Sequence, residues 1–176
     1  MNKKSTFRNL FTISALSWII LFASCNQEIK EKEYDTIKEG NISTTISTDT
    51  AILSKLIDIS IHKPTETKFK YTFIDNSGGN DRLTVPGPSD SYLEAIIYFD
   101  SVTFNQLKAS YFNGFYSSPG YNKEEFNYEW LNENDRSELM KTDTAYHGHT
   151  DHSFGLGPYG KLWLLHNKVL LKKPAN

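Results

Sequence analysis

The sequence YLEAIIYF, residues 92–99, carries the strongest strand signal in the chain. One of its two faces is apolar through four alternating residues: Leu93, Ala95, Ile97 and Phe99. The residues between them are half apolar as well. Alternation is typical of a strand with a buried face, and a strand that is apolar on both faces lies inside a sheet. We therefore predict that residues 92–99 form a central strand.

Two other parts of the chain predict strands. Phe69, Tyr71 and Phe73 alternate with polar residues, which indicates a sheet face with its other side in water. Near the C-terminus, apolar runs at 162–165 and 169–171 flank a short polar link and predict a hairpin. The Gly that is usual in such a turn is missing from the link.

Short helices are predicted between these strands. Asp49 or Thr50 can cap the first helix, because Asp and Thr side chains accept hydrogen bonds from the first free backbone N–H groups. Asp100 or Ser101 can cap a second helix, which we expect to run to about Ser110. The predicted fold class is α+β: a small single domain, mainly antiparallel sheet, with two or three short helices and a C-terminal hairpin.

The N-terminus has the order of a secretory signal. Basic residues come first, an apolar stretch of 14 residues runs from Leu10 to Ala23, and small residues precede Cys25. A permanent membrane-spanning helix needs about 20 mostly apolar residues, so this stretch is too short for that role. Cys25 is the only cysteine of the chain.

The segment LFASC, residues 21–25, resembles the lipobox of bacterial lipoproteins. In that family an aliphatic residue and two small ones precede a cysteine, which is diacylated and becomes the new N-terminus. Phe22 stands where the family usually has Leu. The resemblance implies a signal peptide over residues 1–24, a lipid on Cys25, and attachment to a membrane of the bacterial cell envelope. Of the two envelope membranes, we expect the outer one rather than the inner one, a choice that the segment itself does not make.

The composition of the chain after that cleavage suits one acidic domain. Removing 24 of the 176 residues leaves 152, and removing three of the 19 basic residues leaves 16 against 21 acids, a net charge of about −5. Such a charge disfavours nucleic acid as a partner. Residues 25–48 are polar and rich in Ser and Thr, so they predict a flexible tether behind the lipid. The folded domain is then predicted over residues 49–176.

Three histidines and an aspartate lie close together in HGHTDH, residues 147–152. The letters match the H-x-H-x-D-H motif of the metallo-β-lactamase family, which takes further ligands from the long chain after it. Here only 24 residues follow, with one histidine and no acid, so that fold is not predicted. A simpler zinc or copper site remains, with His147, His149 and His152 as ligands and Asp151 as ligand or orienting residue. The competing interpretation is a solvated loop without a cofactor.

Eight aromatic residues lie between Tyr111 and Trp130. Tyr and Trp join an apolar ring to a polar group, so such a segment can stack against a glycan or a protein partner. On that interpretation Tyr116, Tyr121, Tyr128 and Trp130 contact the partner. The alternative is a long loop that packs on its own core.

The sequence contains no catalytic signature. It lacks a nucleophile elbow and a Walker phosphate loop, and lipidation leaves it without a free thiol. We expect a non-enzymatic, membrane-tethered envelope protein that binds a protein or glycan partner, with metal binding as the alternative. The triplet DTI, residues 35–37, is similar to an O-glycosylation pattern of some Gram-negative envelopes, which makes Thr36 a candidate acceptor.

We predict that Cys25→Ser abolishes labelling of the protein with palmitate and either releases it from membranes or leaves it unprocessed. The reason is that a thiolate is the nucleophile that takes the diacylglyceryl group as a thioether, and a serine hydroxyl cannot replace it. Metabolic labelling followed by membrane fractionation measures both effects. Ser24→Ala keeps a small residue before the cysteine and should label like the unchanged protein. Undiminished labelling of Cys25→Ser would refute the assignment.

Overall fold

The computed structural model describes residues 34–77, 89–113, 121–143 and 147–174. The chain divides into two units, residues 1–31 and 32–176, and all described residues belong to the second. Within them the strands are β1 Tyr34–Glu39, β2 Ile42–Ser47, β3 Glu66–Ile74, β4 Asp90–Tyr98, β5 Gly148–Thr150, β6 Lys161–Leu165 and β7 Lys168–Lys173. They form one antiparallel sheet in the order β1-β2-β3-β4-β7-β6-β5.

The described helices are few and short. They are α1 Thr50–Leu53, α2 Ser101–Phe112, a 3₁₀ helix Lys123–Phe126, and α3 Glu133–Lys141. The predicted α+β class is therefore confirmed at that level, for a small domain that is mostly sheet. None of the helices in the described part of the chain has the length and apolar character that crossing a membrane requires.

Strand β4 is the middle strand of the sheet, as its sequence predicts. It pairs with β3 on one side and with β7 on the other. Ala95 and Ile97 are buried on one face of the sheet, and Ile96 is buried on the other. Both faces of β4 are covered because helices pack on both sides of the sheet.

The two faces carry separate apolar cores. The first, which we name the α2 face, joins strand residues to α2, α1 and the chain around Phe154; it includes Leu53, Phe69, Ala95, Leu107 and Phe154. The second, the α3 face, lies under the 3₁₀ helix and α3; it includes Ile96, Phe126, Leu139, Trp163 and Leu170. Burial of this apolar surface is the main favourable term in folding, at about 25 cal/mol per Å².

A buried carboxylate ties α3 to the sheet. Asp135 on α3 accepts hydrogen bonds from the Tyr98 hydroxyl at 2.7 Å, the Lys168 ammonium at 2.6 Å and the Asn132 amide at 2.7 Å. Lys168 also pairs with Glu138 at 2.8 Å. A charge that is buried is costly unless it is paired and hydrogen-bonded, and these donors satisfy Asp135. The cluster therefore holds α3 to β4 and β7.

Helix α2 begins where the sequence predicts. The Asp100 carboxylate accepts from the backbone N–H groups of Val102 and Thr103, each at 2.9 Å, and so caps the helix. The helix ends at Phe112, slightly beyond the predicted Ser110. Likewise, Asp49 caps α1 through the N–H of residue 51 at 2.8 Å.

The predicted C-terminal hairpin is formed by β6 and β7, and an asparagine replaces the missing glycine. Asn167 adopts φ 55°, a left-handed conformation that Asn tolerates better than most residues. Its carbonyl accepts from the Phe99 N–H at 2.9 Å, and its amide donates to the Ser101 hydroxyl at 3.1 Å. These bonds fasten the turn to the start of α2.

The prediction of a flexible tether over residues 25–48 is wrong for residues 34–47. These residues form the hairpin β1–β2, and β2 pairs with β3 from Ile42 opposite Ile74 to Ser47 opposite Phe69. The polar composition led to the tether prediction because β2 is polar and buries little apolar surface. It is held instead by backbone pairing to β3, and its β-branched threonines and isoleucines suit a strand. Residues 25–33 lie outside the described residues.

We predict that the domain loses stability above about pH 10. Burial raises the pKa of Tyr98, Tyr111 and Tyr128 above the ordinary value of 10.0. The folded state therefore keeps protons that the unfolded state loses near pH 10, and each tyrosine lowers stability by at most about 1.4 kcal/mol per pH unit beyond that point. Denaturant unfolding at pH values from about 8 to about 11, a range that spans the ordinary tyrosine pKa, measures how the free energy of unfolding changes with pH.

A matched pair of variants tests the origin of this alkaline loss. Tyr128→Phe removes one buried titrating hydroxyl and should reduce the slope. Tyr159→Phe removes an exposed hydroxyl and should leave the slope unchanged. If the free energy of unfolding stays constant up to about pH 11, roughly one unit above the ordinary tyrosine pKa, the prediction is wrong.

Candidate functional site

The sheet extends beyond the helices that cover it. The core of the α2 face ends at β3 and that of the α3 face ends at β4, so the hairpin β1–β2 lies beyond both. Several of the large apolar side chains that are exposed within the described residues lie on this extension or beside it. Ile37, Ile42 and Tyr92 share one face, and Phe73 lies on the opposite face. Exposed apolar side chains that gather in one place mark interaction surfaces more often than scattered ones do.

Three isoleucines of the hairpin share one face. Ile37 lies opposite Thr44, which lies opposite Thr72 and then Tyr92, so this row has the same orientation as Glu94 and Ile96 further along β4. Ile42 and Ile46 alternate with Thr44 on β2 and point the same way. We name Ile37, Ile42 and Ile46 the isoleucine patch. It lies on the α3 face, outside the part that α3 covers.

The isoleucine patch lines a shallow groove of about 250 Å³. Ile37 is 50% exposed and Ile42 is 40% exposed, values that are high for isoleucine in a sheet. Glu39 and Lys70 border the groove. The apolar floor and charged border resemble the arrangement of a protein interface, with an apolar centre and a polar rim.

Strand β1, which carries Ile37 of the patch, is an edge strand. β1 stands at one end of the sheet, and no other strand in the described ranges pairs with its outer side. It is six residues long, whereas β5 at the opposite end has three. An edge strand presents unpaired backbone N–H and C=O groups, which a further strand can bind.

The charges on the patch side of the hairpin are mainly acidic. Asp35 and Glu39 flank Ile37 on β1, and Asp90 lies in the same row as Glu39. Lys70, opposite Ile46, is the basic residue of this surface. A basic strand therefore suits this edge better than an acidic one.

Thr36 lies on β1 but points to the opposite face of the sheet. Its hydroxyl is 3.2 Å from the Thr45 hydroxyl on β2. The residue is exposed, and glycosylation of Thr36 stays a prediction.

The described aromatic residues that the sequence offers as partner contacts pack on the protein itself. Tyr128 is only 4% exposed, and its hydroxyl donates to the Leu171 carbonyl of β7. The assignment of Tyr128 to a partner surface is wrong, because its ring is part of the core of the α3 face. Trp130 stacks on Tyr128 at 5.2 Å between ring centroids, and its Nε1 donates to Glu94 at 3.0 Å.

Tyr121 is half-buried beside the β5–β6 edge. Its hydroxyl is 3.1 Å from the Thr150 hydroxyl, and the Lys161 ammonium lies 4.6 Å from its ring centroid. Tyr116 lies outside the described residues, as does Cys25. The described part of the aromatic segment thus matches the alternative of a loop packed on its own core.

Asp151 shapes the loop after β5. Its carboxylate accepts from three backbone N–H groups: Ser153 at 3.0 Å, Phe154 at 2.9 Å and Leu156 at 2.7 Å. These three bonds use both carboxylate oxygens. Asp151 therefore turns the chain so that Phe154 and Leu156 enter the core of the α2 face.

Two of the three histidines of the loop contact Tyr111, and the third contacts Trp163. His149 is buried, with its ring 5.1 Å from Tyr111, and His152 lies 3.8 Å from the same tyrosine ring. His147 instead lies 6.1 Å from Trp163. Across the described ranges, no group of three His, Cys, Asp or Glu side chains is placed to hold one metal ion. The zinc or copper alternative therefore rests only on the spacing of the histidines in the sequence.

No protein-family model matches the chain, and none of the curated proteins and solved structures matches it either. The isoleucine patch was not predicted from the sequence. The available signal was the alternation of Ile42, Thr44 and Ile46, a period-two pattern that the polar composition of the stretch obscured.

We predict that Asp151→Asn destabilises the domain by about 1–3 kcal/mol, because an amide nitrogen cannot accept the backbone N–H bonds that one carboxylate oxygen now accepts. Denaturant unfolding in the presence of a metal chelator measures the loss. Asp35→Asn, on an exposed strand, should leave stability within about 0.5 kcal/mol. If Asp151 served only as a metal ligand, the chelated protein would tolerate Asp151→Asn equally well, and our assignment would fail.

Proposed function

We propose that the chain is a lipid-anchored, non-enzymatic protein of the bacterial cell envelope, whose sheet binds an extended segment of a partner protein at β1 and the isoleucine patch. The observation that carries the binding proposal is the outer side of β1, which no strand of the described residues pairs with, beside three partly exposed isoleucines. The lipid anchor rests on the LFASC segment and Cys25.

Binding at this site works by strand addition. A partner segment that lies beside β1 pairs its backbone with the free N–H and C=O groups of the edge. Its alternate side chains then point to the α3 face, where they cover Ile37 and reach the groove. Backbone bonds supply affinity, and the isoleucine patch supplies apolar area and selects the side chains of the partner.

Charge selects the sequence of the partner segment. On the patch side β1 presents Asp35, Ile37 and Glu39 in turn. Directly opposite residues of an antiparallel pair share a face, and opposite charges stabilise such a pair by about 0.2–1 kcal/mol. The complementary segment therefore carries a basic, an apolar and a basic residue at alternate positions.

A second copy of this chain fits the edge less well. In an antiparallel pair of two β1 strands centred on Ile37, Asp35 of each copy faces Glu39 of the other. Centring the pair on Lys38 opposes two lysines, and centring it on Glu39 opposes two glutamates. Like charges in direct opposition destabilise the pair. Centring it on Thr36 avoids like charges within β1 but sets Asp35 of each copy against Ile37 of the other, so it gains no charge pair. A different protein with basic residues is therefore the favoured occupant.

A protein partner is also favoured over a glycan. Glycans stack on exposed aromatic faces, and the described part of the aromatic segment is packed on the sheet. The patch itself is aliphatic, with Tyr92 at its border. Metal binding is not proposed as a second function, because the histidine spacing is its single support.

We predict that a photo-crosslinking amino acid in place of Ile37 captures one envelope protein in cells, whereas the same amino acid in place of Ile61 does not. Ile61 is 69% exposed but lies in the loop before β3, so it controls for exposure. Mass spectrometry of the adduct should identify an extended segment with basic and apolar residues at alternate positions. Adding Ile42→Lys should remove the adduct, because it places a charge in the groove.

Charge variants test the selection of the partner. Asp35→Lys with Glu39→Lys should lower adduct yield by about fivefold or more, equivalent to about 1 kcal/mol. Lys38→Gln, on the other face of β1, should change the yield little. Thermal unfolding must show that each variant folds as the unchanged chain does. Equal adduct yields from positions 37 and 61 would overturn the proposal. So would an adduct that joins two copies of this chain, or an adduct with a glycan.

A further inference from the structure

A second cavity lies at the opposite edge of the sheet. Strand β5 is short and pairs with residues 161–163 of β6, so the end of β6 at Leu164 and Leu165 extends beyond it. Helix α2 approaches this end from one face of the sheet and α3 from the other. Together they enclose a half-open cavity of about 290 Å³.

The floor of the cavity is apolar. Phe104 of α2 and Leu164 and Leu165 of β6 line it, and each of these side chains belongs to a core. Small-molecule sites are typically concave, mostly apolar and roughly 300–1,000 Å³ in volume, with a few polar groups that orient the ligand. The cavity is therefore at the lower end of that range and suits a ligand of several carbon atoms.

The polar groups at the rim of the cavity are mostly nitrogen groups. Glu138 is the acid among the lining residues, and both of its oxygens have donors: one pairs with Lys168 at 2.8 Å and the other accepts the backbone N–H of His166. Lys108 also lines the cavity, and it forms no ion pair with a carboxylate in the described ranges. Its ammonium lies 5.6 Å from the Phe112 ring.

Two histidines also line the rim of the cavity. His147 Nδ1 is 3.2 Å from the Leu164 carbonyl oxygen. His166 Nε2 is 3.4 Å from the Asn167 amide nitrogen. His166 therefore adds a second nitrogen group to the same lining as Lys108.

We propose that this cavity binds a small carboxylate with a short aliphatic chain. Its carboxylate lies between Lys108 and His166, and its chain covers Phe104, Leu164 and Leu165. A cation is disfavoured because both carboxylate oxygens of Glu138, the acid among the lining residues, already accept bonds from Lys168 and from the His166 N–H. This site is separate from β1 and independent of the function proposed above.

Hexanoate is the probe that tests the proposal. Isothermal titration of the full-length chain in detergent, with a detergent blank for partitioning, should show one saturable site with a dissociation constant below about 1 mM. Hexanol has the same chain without the charge, and acetate has the charge without the chain. Both should bind at least about tenfold more weakly, because each lacks one half of the interaction. Equal binding of hexanol, or no saturation by hexanoate, overturns the proposal.

Variants and histidine resonances locate the bound probe. Lys108→Gln should weaken hexanoate by about fivefold or more, an effect expected for one exposed charge-assisted contact. Lys161→Gln should leave hexanoate binding unchanged, because the Lys161 ammonium pairs with Glu125 and is not among the groups that line the cavity. In NMR spectra hexanoate should shift the His147 and His166 ring signals and leave His62 unmoved. If Lys108→Gln binds hexanoate as tightly as the unchanged chain, the site is refuted. A chemical shift change confined to the His62 ring would also refute it, because the probe would then bind elsewhere.

Discussion

The whole domain depends on the pairing of β4 with β3 and β7. β4 is apolar on both faces, so it is stable only in the middle of a sheet that is covered on both sides. That requirement produces two cores. Helix α2 closes one face over Ala95 and Ile97, and α3 closes the other over Ile96.

The two covers are attached by different physical means. Helix α2 follows β4 directly, is capped by Asp100, and buries Phe104 and Leu107 as its apolar side. Helix α3 is strongly polar, and the buried Asp135 with its hydrogen bonds to Tyr98 and Lys168 holds it to the sheet. Apolar burial therefore dominates on one face, whereas a paired charge supplements it on the other.

Neither helix covers the hairpin β1–β2, whereas α2 reaches β5 through the contact of Tyr111 with His149, so the two ends of the sheet differ. The hairpin β1–β2 is anchored by backbone pairs to β3 and so can leave the isoleucine patch exposed. At the other end β5 is short, and the gap between α2 and α3 becomes a cavity. One surface fits an extended chain with backbone groups to pair, and the other fits a small molecule.

Local patterns in the sequence determined β4, the start of α2 at Asp100 and the hairpin of β6 and β7. Alternation, capping and turn residues act between neighbours, so they can be read along the chain. Only the tertiary structure decided that residues 34–47 form strands, because their stabilising partner is β3 and not their own side chains. It also decided that Tyr128 is a core residue, since the carbonyl it binds lies 43 residues away. Contacts of that range depend on how the sheet assembles, and no local pattern encodes them.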